Sequence, residues 1–191
     1  MRAILILLFI LPLLCRAQDD LKSDYLQEDR IDMTTHDTIK RTFWMVLEHG
    51  NLARHLNTFY RFSCINSEYF LDLKIMEGGD SFVVAPNAEF KMRLERNIVV
   101  TLYNERYTKS SIGGGARGNW GNGAHGVTLS FKISEFDRAM LMNYYMDKVR
   151  LYCTDGFLER KVNPIHSELF MDQLYLVYNS NNEYKKYKIV H

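Results

Sequence analysis

The stretch of residues 127–162 most constrains the fold, because its hydrophobic period changes from two residues to about 3.6 and back to two. Apolar and polar residues alternate in VTLSFKI, which predicts a half-buried strand. Ser134 then begins a predicted amphipathic helix, because its hydroxyl can accept a hydrogen bond from a first-turn backbone N–H. Alternation returns in VRLYC, and Thr154-Asp155-Gly156 predicts the tight turn of an antiparallel hairpin ending at Val162.

Short alternating segments separated by turn residues make up most of the remaining chain, and each predicts an antiparallel strand. They cover residues 42–48, 58–65, 69–75, 81–84, 89–94 and 98–103. A second helix is predicted after Asn163, which can cap it, with Pro164 at the first helical position. Residues 184–190 predict a final edge strand whose lysines disfavour pairing with another chain. The expected fold is therefore α+β, with a mostly antiparallel core of about seven to nine strands and two amphipathic helices. A sandwich or a partly closed barrel is the expected architecture.

The first seventeen residues have the pattern of an export signal. Arg2 precedes an apolar run over residues 3–14, and Ala17 supplies the small residue that a signal peptidase needs. The run is short for a membrane-spanning helix, so we expect cleavage and a mature chain beginning at Gln18, periplasmic or secreted. A lipid anchor on Cys15 is the alternative, although Leu14 is bulky where lipoprotein processing prefers a small residue.

Composition limits the partners that this chain can attract. Loss of Arg2 and Arg16 with the signal peptide leaves 22 of the 24 basic residues, against 23 acidic residues. A nearly neutral mature chain has no single-sign field for nucleic acid or a charged membrane. No second apolar segment reaches spanning length, so no transmembrane segment is expected after signal cleavage. Residues 18–37 are polar and acidic and predict a linker or loosely docked arm, followed by a single β-rich domain over residues 38–191.

Two cysteines remain after signal cleavage, Cys64 and Cys153. Thiols tend to pair in the oxidising compartments that an exported chain reaches, and both residues fall on predicted apolar strand faces. The pattern favours a Cys64–Cys153 disulfide. Two separate buried thiols are the alternative, because free cysteine is a common core residue.

A glycine-rich loop over residues 112–126 holds seven glycines and twice matches G-x-G-x-x-G. The dinucleotide-binding motif needs these glycines between a strand and a helix, so that the pyrophosphate lies at the helix N-terminus. Here the loop leads into a predicted strand, and it lacks the Lys-Ser/Thr ending of a phosphate-binding loop. We therefore expect no nucleotide cofactor.

Four side chains of the loop predict a binding site for a sugar, a carboxylate or a peptide. Trp120 offers a flat apolar surface and Arg117 offers a fork of donors, with Asn119 and His125 beside them in the sequence. The favoured alternative is a loop that folds over the end of the core, with Trp120 packed as a plug, because a lone tryptophan in a glycine-rich loop more often packs than binds.

Catalytic and metal-binding patterns do not emerge from the sequence. The six histidines have no partners at metal-ligand spacing, and neither G-x-S-x-G nor a Ser-x-x-Lys pair occurs. Both mature cysteines are predicted to face inward, and Asp72 and Glu89 are predicted to lie on solvated strand faces. We therefore nominate no catalytic residue and no metal ligand.

Several runs resemble a family of small exported bacterial proteins with no known activity. They are VVTLYNE, the glycine-rich loop, the S-E-x-D start of the first helix, and the hairpin VRLYCTDGFLERKV, within residues 38–177. The resemblance implies the β-rich fold and export, and it implies no activity.

The expected function is a non-enzymatic binding or interaction module of the cell envelope or secreted space. One alternative is a hydrolase whose site is assembled around the glycine-rich loop, with His125 and Arg117 as first candidates. The other alternative is a structural subunit of an envelope assembly.

Overall fold

The computed structural model describes residues 26–49, 57–78, 80–114 and 124–179, which form thirteen strands and two helices. A single 3-10 turn covers Glu95–Asn97. The strands are β1 Leu26–Ile31, β2 Thr38–Thr42, β3 Met45–His49, β4 Asn57–Ile65, β5 Glu68–Glu77, β6 Val83–Val84, β7 Glu89–Leu94, β8 Val99–Tyr103, β9 Thr108–Lys109, β10 Ser111–Ile112, β11 His125–Ile133, β12 Met146–Cys153 and β13 Gly156–Lys161. The helices are α1 Glu135–Asn143 and α2 Pro164–Asn179.

The larger sheet has seven strands in the order β1-β2-β4-β5-β11-β10, with β3 also paired to β4. Its centre consists of the three longest alternating segments, β4, β5 and β11. Their antiparallel register places Phe62, Leu71 and Phe131 side by side on one face. All three side chains are fully buried, so this face forms half of the core.

The smaller sheet has four antiparallel strands in the order β13-β12-β7-β8. Phe90, Met92 and Leu151 point from it into the same buried cluster as the larger sheet. The rings of Phe90 and Phe131 stack between the two sheets, with their centroids 5.3 Å apart. The α+β prediction is confirmed, and none of the three sheets formed by the described residues closes into a barrel.

Both predicted helices begin where the sequence places them. The Ser134 hydroxyl accepts a hydrogen bond from the backbone N–H of Asp137 at 3.1 Å, which caps α1. Asn163 Oδ1 accepts one from the N–H of Ile165 at 2.9 Å at the start of α2. Helix α2 packs on β3, β4 and β12, and its Phe170 ring contacts the ring of Phe62 with centroids 4.7 Å apart.

The amino-terminal part differs from the sequence expectation. Residues 26–31 of the predicted linker form strand β1, paired with β2. The strand is polar, so hydrophobic alternation does not reveal it, and an ion pair between Glu28 and Arg41 Nη1 at 2.8 Å supports the pairing. The predicted strand over residues 42–48 is interrupted after Thr42 and divides between β2 and β3. The strand count exceeds seven to nine chiefly because β6, β9 and β10 have only two residues each.

The predicted signal peptide and the predicted strand over residues 184–190 lie outside the described residues. Within the ranges that are described, no helix has both the length and the apolarity to cross a membrane.

Candidate functional site: the outer face of the four-stranded sheet

The predicted loop site is only partly described. Arg117, Asn119 and Trp120 lie outside the described residues. His125 is the first residue of β11 and lies opposite Glu77 of β5. Its Nδ1 atom is buried and has no hydrogen-bond partner. The predicted grouping of these four side chains therefore remains a prediction.

The two ends of this loop are in close backbone contact at Gly114 and Gly126. A Cβ atom on Gly126 would overlap the carbonyl oxygen of Gly114, and a Cβ atom on Gly114 would overlap the carbonyl of Gly126. Gly113 has a φ of +70°, and its N–H donates to the carbonyl of Ala124 at 2.9 Å. At these positions glycine serves the close approach of two backbone segments to one another.

The structure corrects the predicted disulfide, because Cys64 and Cys153 are both free. Cys64 pairs with Tyr69 at one end of β5, whereas Cys153 lies near Glu77 at the other end. Eight residues of strand separate these ends by about 26 Å. Burial, followed by the negative charges of Asp155 and Glu77, raises the pKa of the Cys153 thiol to about 11. Burial also raises the pKa of Cys64, so neither thiol has the thiolate character of a nucleophile near neutral pH.

The prediction that Asp72 lies on a solvated strand face is wrong. Asp72 is only 9% exposed. Its carboxylate accepts hydrogen bonds from Arg61 Nε at 2.8 Å, Ser63 Oγ at 2.8 Å and Ser130 Oγ at 2.7 Å. The three donors come from the two strands that flank Asp72 in the sheet, β4 and β11. This network satisfies the carboxylate and gives it a structural role.

The four-stranded sheet presents a second, outward face that combines cations with aromatic rings. We call it the cation–aromatic face. Strand alternation and register place its residues in three rows across the sheet. Its members are Glu89, Lys91, Arg93, Val99, Thr101, Tyr103, Lys148, Arg150, Tyr152, Phe157, Glu159 and Lys161.

Like charges lie directly opposite one another in two of these rows. Lys148 pairs with Lys161 on one side and with Arg93 on the other. In the next row, Arg150 lies opposite Lys91. Like charges that lie directly opposite one another on paired strands destabilise a sheet, so these three pairs lower the stability of the four-stranded sheet.

Three carboxylates, Glu159, Asp147 and Glu89, hold these cations in place, and Glu89 lies 2.7 Å from Lys91 Nζ. Glu159 accepts hydrogen bonds from Lys148 Nζ at 2.8 Å and from Arg150 Nε at 2.9 Å, which hold the pKa of Glu159 below its ordinary value. Asp147, in the bulge of β12, binds Arg93 through two parallel hydrogen bonds, of 2.9 Å and 2.6 Å. That pairing lowers the pKa of Asp147.

The third row is aromatic except at its β7 position, where Glu89 lies between Tyr152 and Tyr103. Phe157 and Tyr152 lie on paired strands with ring centroids 6.1 Å apart, and Tyr103 continues the row on β8. Tyr103 is 53% exposed and Phe157 is 54% exposed. The Arg150 guanidinium lies 4.2 Å from the Phe157 ring centroid, and Lys91 Nζ lies 5.1 Å from that of Tyr152. The rings and cations therefore form one continuous surface.

A shallow pocket of about 210 Å³ opens on this surface. The residues that line it come from all four strands, and they include cations of both rows and Val99 at the edge of the sheet. The pocket gives the face a concave region in which a ligand can contact several cations at once.

The sequence did not reveal this face because its residues lie in segments far apart in the chain. Near-neutral overall charge concealed a local excess of two, from five cations and three carboxylates. One signal was present, however. Lys91-Met92-Arg93 and Lys148-Val149-Arg150 repeat a K-x-R pattern on the polar positions of two predicted strands.

No group of three or more histidine, cysteine, aspartate or glutamate side chains among the described residues is placed to hold a metal ion.

No protein-family model matches the chain, and neither a curated protein nor a solved structure matches it.

Proposed function

We propose that this chain is an exported, non-enzymatic binding module and that its cation–aromatic face binds an extended anionic ligand. The observation that carries the proposal is the set of three like-charged cross-strand pairs on one exposed sheet face. An anionic ligand that lies over these cations attracts both members of each pair and thereby offsets their mutual repulsion.

Electrostatics supports a ligand that spans several cations. Exposed ion pairs add little to the stability of a fold, so Glu159 and Asp147 contribute mainly by orienting the cations. The local excess of positive charge remains on the face after these pairs are counted. A ligand with several negative groups interacts with that excess more strongly than a single small anion does.

Binding to dextran sulfate, with unsulfated dextran as the uncharged polymer, tests the proposal. In the face variant, Arg93→Ser and Lys148→Ser are combined. The matched control combines Arg30→Ser and Lys132→Ser, which removes two exposed cations that are also paired with carboxylates, Glu28 and Glu68, on the other sheet. Urea unfolding of all three proteins verifies that they fold equally well.

We expect dextran sulfate to bind the parent protein and the control with similar affinity, and the face variant about tenfold or more weakly. Binding should weaken as salt rises, because the cations are exposed to solvent. Equal losses in the two double variants, or no binding by the parent protein at low salt, would refute the assignment of this face.

The export part of the proposal is tested separately. The intact mass of protein recovered from outside the cytoplasm should correspond to a chain that begins at Gln18. A mass that retains residues 1–17 contradicts cleavage, and a lipidated Cys15 would establish the anchored alternative.

A further inference from the structure

We propose that the ligand of the cation–aromatic face is a linear acidic glycan, with its sugar rings along the aromatic row and its carboxylates at Arg150 and Lys91. This inference rests on the proposed function and narrows the class of anionic ligand.

Donors and acceptors alternate on the face, which distinguishes a glycan from a phosphodiester polymer. Glu89 lies 2.7 Å from Lys91 Nζ, and Glu159 lies between Lys148 and Arg150. Sugar hydroxyls both donate and accept hydrogen bonds, so they can use the carboxylates as well as the cations. Phosphodiester oxygens only accept hydrogen bonds, so a phosphodiester backbone offers no donor to these carboxylates, whereas the hydroxyls of an acidic glycan do.

The cations retain donors for the carboxylates of a ligand. Arg150 has five N–H groups, of which one on Nε and one on Nη2 bind Glu159, and one on Nη1 reaches the Tyr152 hydroxyl at 3.3 Å. Lys91 has three, of which one binds Glu89. Each side chain thus keeps two N–H groups while its partner carboxylate holds it in position.

The aromatic row supplies the stacking surface that a sugar chain needs. Phe157 and Tyr103 mark its two ends, on β13 and β8, and both residues are more than half exposed. Glu89 lies between Tyr152 and Tyr103, where its carboxylate can accept hydrogen bonds from sugar hydroxyls. Three strand spacings separate these ends by about 14 Å, enough for a short run of sugar rings. The apolar C–H faces of sugar rings can pack on flat aromatic surfaces, as other apolar groups do.

The spacing of the rows fits acid groups that project from one side of that run. Arg150 precedes Tyr152 by two residues on β12, so the cation row lies about 6.6 Å from the aromatic row. Carboxylates on the edge of a sugar ring that stacks on Tyr152 can therefore reach the guanidinium of Arg150 and the ammonium of Lys91. A planar carboxylate matches the fork of donors on arginine.

The test compares three defined probes: hexagalacturonate, its fully methyl-esterified form and an oligothymidylate of equal charge number. Tyr103→Ala removes one end of the aromatic row. Tyr107→Ala is the matched control, because Tyr107 is 65% exposed and lies outside the face. Dissociation constants are measured for the parent protein, the two tyrosine variants and the double cation variant described above.

We expect hexagalacturonate to bind about tenfold or more tightly than either other probe. Tyr103→Ala should weaken that binding about fivefold, and Tyr107→Ala should change it by less than about twofold. Preferred binding of oligothymidylate, lost in the double cation variant, would overturn the glycan inference while leaving the anionic-ligand proposal intact. Insensitivity to Tyr103→Ala would also overturn it. Failure of every anionic probe, dextran sulfate included, would overturn both.

Discussion

Replacement of Asp72 by alanine should destabilise the protein far more than replacement of Asp147, although each carboxylate binds an arginine. Asp72 lies within the seven-stranded sheet with a 12% exposed side chain, and it accepts three side-chain hydrogen bonds. Asp147 forms a two-point pair with Arg93, but its side chain is 51% exposed. The comparison separates burial from the mere presence of an ion pair.

The expected magnitude follows from what Asp72→Ala leaves behind. Arg61, whose side chain is 22% exposed, loses its charge partner, and the buried Ser63 hydroxyl loses its acceptor. Removal of one partner from a buried ion pair costs about 3–5 kcal/mol. An exposed pair contributes about 1 kcal/mol or less, which sets the expected effect of Asp147→Ala.

Urea unfolding measures both effects as differences in the free energy of unfolding, provided the dependence on urea is unchanged. A loss of 3–5 kcal/mol in a domain of this size should lower the melting temperature by about 6–20 °C. In the background of Ser130→Ala, Asp72→Ala should cost less than it does alone, because the two residues share a hydrogen bond of 2.7 Å.

Equal and small losses for Asp72→Ala and Asp147→Ala would refute the reasoning. That result would mean that solvent reaches Asp72 in the folded protein, or that the network contributes nothing beyond an exposed pair.

Four further measurements test other parts of the structure. Gly126→Ala should lower the urea midpoint, because its Cβ would overlap a backbone carbonyl, whereas Thr128→Ala on the same strand should change it little. Cys153 should react with iodoacetamide about a hundredfold more slowly at pH 8 than a cysteine peptide, since its pKa is about 11; equal rates would contradict its burial. As pH rises from 9 towards 11, the unfolded thiol ionises before the folded one, so stability should fall. The hydrogen bonds from Lys148 and Arg150 lower the pKa of Glu159, and those from Arg93 lower the pKa of Asp147, so dextran sulfate binding should strengthen only at pH values below the ordinary carboxyl range. Strengthening that begins near pH 6 would point to another group.

Local chemistry made parts of the fold predictable. Ser134 and Asn163 carry oxygens that cap helices through short-range hydrogen bonds, and both helices begin at these residues. The alternation in residues 58–65 and 127–133 predicted strands of the central sheet, because one apolar face must be buried. Helix ends and half-buried strands depend on neighbouring residues, so the sequence carries their signal.

The polar strand β1 and the buried Asp72 were not predictable in this way. Strand β1 is stabilised by pairing with β2 and has no apolar face of its own. Asp72 occupies the polar position of an alternating strand, and only the approach of Arg61 and Ser130 from neighbouring strands makes its burial favourable. Both outcomes depend on partners that are distant in the chain.

Hydrophobic period and helix capping act over a few residues, so the α+β class, the helix starts and the main strands follow from local sequence. Which polar faces become neighbours depends on the pairing of strands that are distant in the chain. Antiparallel pairing of β7 with β12 reversed one K-x-R run against the other, which placed Lys91 beside Arg150 and Arg93 beside Lys148. Register between distant strands thus concentrated charge on one face of a chain whose overall charge is nearly balanced.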